Sequence, residues 1–144
     1  MIYRPAAACI AMALSSAATS VALAASERHR AIFSSLCTEA ESGDTAGYQI
    51  VVDRSASPPS ISFDWSEGGL MEPVIASKAS YDRRSGAVRF RADANGRPVS
   101  FMGRISGPQL TGTLIWINNP GDLPRRERVR MRLVKKPDLQ PACK

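Results

Sequence analysis

Few residues in this chain have the chemistry for catalysis. Among 144 residues there are three cysteines and one histidine. A Ser-His-Asp or Cys-His site needs a histidine held rigidly beside its nucleophile. His29 stands a few residues after an expected cleavage point, where a chain end is usually mobile, and is read as a solvated residue. A zinc site needs three or four Cys, His or carboxylate ligands, so no metal is assigned. Asp64, Glu67 and Glu72 surround Trp65 and a Gly68-Gly69 turn. Paired carboxylates can do acid–base work when burial raises one pKa. Here alternation turns Asp64 outward and leaves Glu67 on a turn, so both are read as surface groups. No Walker, Rossmann, G-x-S-x-G or EF-hand spacing occurs. The sequence therefore assigns no catalytic residue and no cofactor, and it predicts a protein that is not an enzyme.

Arginine is more informative. The formal net charge is +6, and it is unevenly distributed. Residues 25–72 carry eight acids against three arginines, whereas residues 73–144 carry fifteen bases against five acids. Arg89 and Arg91, and Arg128, Arg130 and Arg132, recur at every second position of strand-like segments, and Arg104 projects from the same side of its own strand. Period two sends such residues to one face of a sheet. Guanidinium groups in that arrangement offer planar donors to phosphate or carboxylate. The competing reading is a solvated face that protects a sheet edge from aggregation, or two oppositely charged halves that attract each other.

The N-terminal residues read MIYRPAAACIAMALSSAATSVALAA. One arginine, an apolar run and Ala22-Leu23-Ala24 describe a secretory signal peptide over 1–24, followed by a single domain over 25–144. The serines and threonine within this segment argue against a membrane anchor, and the mature chain is expected to have no transmembrane segment. Its expected location is periplasmic or secreted. Cleavage removes Cys9 and leaves Cys37 and Cys143, which in an oxidising compartment most simply form one disulfide.

The elements that must position these groups are predominantly strands. Ser26 to Cys37 is read as a short helix with Ile32, Phe33 and Leu36 on one face. After Tyr48 the pattern changes to period two, giving about seven strands: 48–54, 60–65, 71–80, 87–92, 99–106, 109–117 and 126–134. Turn signals separate them, including Asn95-Gly96 and Gly107-Pro108. The expected fold is mainly β, an antiparallel meander forming a small closed or nearly closed barrel. A two-residue turn at Asn95-Gly96 pairs Ala92 with Val99, Phe90 with Phe101 and Val88 with Gly103. A turn at Gly107-Pro108 pairs Ile105 with Leu110, Gly103 with Gly112, Phe101 with Leu114 and Val99 with Trp116. Two facing glycines omit two side chains, so the space is filled by a large residue, a bend or a ligand. Trp65, Phe90, Phe101, Gly103, Gly112 and Trp116 are the candidate interior lining, and filling is favoured over a cavity.

The stretch Phe101–Leu114, F-M-G-R-I-S-G-P-Q-L-T-G-T-L, has a G-x-I-x-G-x-x-L-x-G-x-L spacing. It resembles hairpins of small exported bacterial β-barrel proteins of unknown function, broadly calycin-like or lipocalin-like. The resemblance implies a barrel that binds something. The expected function is thus an exported, non-catalytic binding module that uses its arginine-rich face. Its partners would be anionic lipid, anionic glycan or an acidic protein surface. Export and the lack of aromatics among the arginines argue against nucleic acid. The alternative is an inhibitor or accessory subunit of an envelope or extracellular enzyme. The sequence assigns no oligomeric state.

Overall fold

The computed structural model describes residues 29–69, 71–117, 121, 123–135 and 141–143. The expected signal peptide lies outside the described residues. Among the described residues ten strands form one sheet: β1 (Arg30–Ser34), β2 (Cys37–Thr38), β3 (Thr45–Asp53), β4 (Ser60–Gly68), β5 (Val74–Ile75), β6 (Lys78–Tyr81), β7 (Ala87–Ala94), β8 (Arg97–Ser106), β9 (Gln109–Trp116) and β10 (Arg125–Val134). Their order is β5-β4-β3-β1-β10-β9-β8-β7-β6, with β2 beside β3. All strand pairs are antiparallel. The sheet curls into a half-barrel around one aromatic core.

Period-two patterning accounts for the long strands. Along β7 the residues alternate between buried and exposed, with Val88, Phe90, Ala92 and Ala94 inside and Arg89, Arg91 and Asp93 outside. Asn95 and Gly96 both have positive φ, 55° and 80°, as a type I′ turn requires. The β7–β8 and β8–β9 registers pair the same residues that the two turns imply, including Phe90 with Phe101 and Gly103 with Gly112.

Two expectations need correction. The helix over Ser26–Cys37 does not form across its described part, because Arg30–Ser34 is strand β1. Ala31 and Phe33 enter the core while Ile32 and Ser34 face outward. A five-residue segment with three apolar residues fits either period, and the backbone groups offered by β3 and β10 on both sides decide it. The strand expected over 71–80 is two short pieces. Phe63 pairs with Val74 and Ser62 with Ile75 on one edge, and Lys78–Tyr81 pair with β7 on the other. Between them Ala76 N–H donates to Ile61 O and Ser77 N–H to Arg91 O, each at 2.9 Å. One short segment thus changes partner midway and hydrogen-bonds both ends of the curled sheet. Ten strands replace the expected seven, since β1 and β2 were not counted and 71–80 divides.

Rings fill the interior. Phe63 lies 5.6–6.1 Å from the rings of Tyr48, Trp65, Phe90 and Trp116, contacts worth about 0.5–1.5 kcal/mol each beyond area burial. Phe101 stacks on Phe90 at 5.4 Å. Its ring also covers Gly103 and Gly112: a Cβ on Gly112 would meet Phe101 Cζ at 2.5 Å and Met102 O at 2.6 Å. The facing glycines therefore make room for a side chain two residues along the same strand. The ring lies against backbone, an arrangement known to rescue glycine in sheets.

Cys37 and Cys143 are disulfide-bonded across 106 residues of sequence. The C-terminal segment lies beside β2: Thr38 N–H donates to Pro141 O at 2.9 Å and Cys143 N–H to Thr38 O at 3.0 Å. Replacing both cysteines by serine is expected to cost about 2–4 kcal/mol, read as a lower urea midpoint; an unchanged midpoint overturns the stapling role. Glycine inside a strand normally gains about 0.5–1 kcal/mol on becoming alanine. For Gly103→Ala the sign should reverse, with a loss of about 1–3 kcal/mol from overpacking. Adding Phe101→Leu should return only part of that loss, because the Cβ would also meet Thr111 O at 2.5 Å. A stabilised Gly103→Ala protein would contradict the packing.

Candidate anion-binding face

The outer surface of β6–β10 carries the arginines. Three cross-strand rows can be read from the pairings. The first runs Arg126, Ile115, Ser100, Arg91, Lys78; the second Arg128, Thr113, Met102, Arg89, Ser80; the third Arg130, Thr111, Arg104, Ala87. Arg132 extends the β10 column opposite Gln109. Arg89, Arg91, Arg104, Arg128, Arg130 and Arg132 are all exposed. Alternation puts them on the side opposite Val88, Phe90, Phe101, Val129 and Met131, which are buried.

Sequence reasoning missed two members of the face, Arg126 and Lys78. Arg126 shares the phase of Arg128 and already lay within the strand expected over 126–134, so alternation alone could have found it. Lys78 could not, because the segment around it has no clean alternation.

The guanidinium groups of these six arginines have no hydrogen-bond or ion-pair partner among the described residues. Other arginines are engaged. Arg125 Nη2 meets Glu127 Oε2 at 3.3 Å, and Glu127 also accepts the Tyr48 hydroxyl at 2.7 Å. Arg97 lies over the Trp116 ring at 5.4 Å and Arg54 over Tyr81 at 5.8 Å. The acid in phase with Arg89 and Arg91 is Asp93, and its carboxylate accepts the Gly96 N–H at the turn. Two shallow grooves run over the face. One, of about 350 Å³, is bordered by Thr111, Thr113, Arg128 and Arg130. The other, of about 320 Å³, is bordered by Lys78, Ser80, Arg89, Arg91, Ser100 and Met102. Guanidinium groups beside hydroxyls can bind oxyanions by charge-assisted hydrogen bonds.

The interior candidates lie elsewhere. Trp65, Phe90, Phe101 and Trp116 are buried in the core, and Phe101 occupies the space over the glycine pair. His29 is exposed, and its carbonyl accepts the Arg54 N–H at 3.0 Å. Among the described residues no group of three or more His, Cys, Asp or Glu could hold a metal ion. No helix there is long and apolar enough to cross a membrane.

Asp64 differs from its expected surface role. It points away from the core but is buried. Its Oδ1 lacks a hydrogen bond, as does Oε1 of Gln49, its cross-strand partner. Burial raises its pKa above the ordinary 3.8, while the Trp65 backbone N–H pulls the other way. As pH rises through the window from 3.8 upward, the folded chain gives up a proton it holds more tightly than the unfolded chain does. Stability therefore falls with rising pH across that window. Asp64→Asn removes the titration and supplies an N–H donor for Gln49. It should be more stable than the native chain at neutral pH, by roughly 1 kcal/mol. The gain should shrink as pH falls toward 3.8, and a pH-independent gain in urea unfolding would contradict this account.

The fold is an antiparallel, curled β half-barrel with the six arginines of this face exposed on its outer side. No protein family, curated protein or solved structure matches the chain.

Proposed function

We propose that this chain is an exported, non-catalytic binding module, periplasmic or secreted, that holds an anionic component of its surroundings on the outer face of β6–β10. One observation carries the reading: the side chains of six exposed arginines on β7, β8 and β10 have no partner among the described residues, while other arginines of the same chain are engaged with a carboxylate or a ring. Like charges gathered on one sheet face lower stability, so such a cluster points to an external counter-charge. The filled core supports an outer rather than an inner binding surface. The segment 74–81, bonded to β4 at one end of the sheet and β7 at the other, supports reading the curl as a nearly closed barrel. Export rests on the N-terminal sequence, and the Cys37–Cys143 bond is consistent with it.

Replacing Arg128, Arg130 and Arg132 by glutamine tests the reading. All three are exposed, so thermal unfolding should change little. Retention on an anionic resin and on envelope vesicles should fall, and the remaining binding should depend less steeply on salt, the Debye length being about 8 Å at physiological ionic strength. Association that stays unchanged and insensitive to salt in the triple variant overturns the proposal.

A further inference from the structure

We infer that the anion held by this face is a linear polyanion laid across the strands, a chain of repeated phosphate or sulfate groups. This inference rests on the arginine-face reading above. Size is the first argument. Alternate residues along a strand are about 6.6–6.8 Å apart and neighbouring strands about 4.7–4.9 Å. The four arginines of β10, from Arg126 to Arg132, therefore extend over about 20 Å, and the rows from β10 to β6 over about 19 Å. A single phosphate or headgroup can engage only a neighbouring pair in such a field.

The grooves are the second argument. The Thr111–Thr113 groove lies on β9 and β10, and the Lys78–Met102 groove on β6, β7 and β8. Arg128 and Arg89 stand at opposite ends of the row that joins them, with Thr113 and Met102 between. A chain following that row meets a guanidinium, a hydroxyl, an apolar floor and a second guanidinium, with no carboxylate in its path.

Curvature is the third. These residues stand on the convex side of a curled sheet, because the core fills the concave side. A flat lipid surface touches a convex face along a narrow strip, whereas a flexible chain can follow it from β10 to β6. Repeated contacts along one chain then gain from effective concentration.

The test compares inorganic polyphosphates and sulfated oligosaccharides of graded length with vesicles of phosphatidylglycerol in phosphatidylcholine. The full exported chain is used. Chains long enough to span the rows should bind about 100-fold more tightly than the shortest, and the stronger of the two series identifies the anion. Thr111→Glu sets a carboxylate between Arg104 and Arg130 on an exposed position. It should weaken the long chains more than the short ones and leave thermal unfolding unchanged. Equal affinity for short and long chains overturns the inference, as does tighter binding to vesicles than to any polymer; in both cases loss of binding in the Arg128, Arg130 and Arg132 glutamine variant leaves the face reading standing. If that folded variant binds anions as the native chain does, the face reading fails, and this inference fails with it.

Discussion

Five residues of backbone hydrogen bonding hold the architecture together. Strand β1 pairs with β3 through Arg30–Ser34 and with β10 through Ile32–Ser34. On one side lies the short meander β3–β4–β5 and on the other the longer run β6 to β10. Without β1 each group would present a row of unpaired N–H and C=O groups, which is costly in a buried setting and prone to aggregation in an exposed one. The same seating brings the chain's first described strand against its last. Cys37 then follows β1 closely enough to bond to Cys143, so the staple secures the junction rather than a remote loop.

That junction explains why the interior is apolar and the exterior carries the charge. Once β1 fixes the curl, every strand has an inside and an outside, and a one-residue slip would exchange them. The aromatic cluster centred on Phe63 draws on β3, β4, β7 and β9. Its rings can meet only when those strands keep their registers. The register that buries Phe90 and Phe101 is therefore the one that exposes Arg89, Arg91 and Arg104. Core packing and the charged face are two consequences of the same alternation.

Legibility in the sequence followed the same physics. Strands β7, β8 and β9 could be read down to individual pairs, because tight turns at Asn95-Gly96 and Gly107-Pro108 set the register and strict alternation checked it. Arg89, Arg91 and Arg104 could be read from that register, and Arg128, Arg130 and Arg132 from the alternation of their own strand. Strand β1 could not, since R-A-I-F-S is too short to distinguish period 2 from period 3.6 and its partners lie about 20 and 100 residues away. The break between β5 and β6 was hidden for a related reason: it arises where the chain changes hydrogen-bonding partner, an event with no local signature. The role of Phe101 over the glycine pair was also missed. The sequence implied a large filler, but a ring folding back along its own strand is a rotamer choice that spacing does not encode. Asp64 was assigned correctly to the outer side, and its burial there depends on packing beyond the reach of alternation.

The distribution of charge within the face bears on how a chain could retain it. Like charges directly opposite one another destabilise a sheet. Across the strands, Arg128 faces Thr113, Arg130 and Arg104 both face Thr111, Arg89 faces Met102 and Arg91 faces Ser100. Strand β9 supplies neutral residues throughout this region, standing between the arginines of β10 and those of β8. Guanidinium-bearing positions on either side of it are about two strand spacings apart, roughly 10 Å, comparable with the Debye length of about 8 Å in physiological salt. Along β10 and β7 the arginines stand only about 6.6–6.8 Å apart and still repel one another, whereas across the strands like charges are kept from facing each other. Lys78 opposite Arg91 is the exception, and it lies on the short strand β6 at the end of the sheet path. An extended partner carrying several negative charges would meet the arginines together and relieve the repulsion that remains along each strand. The neutral spacing of β9 thus lets one sheet face carry many arginines without setting those of β10 directly opposite that of β8.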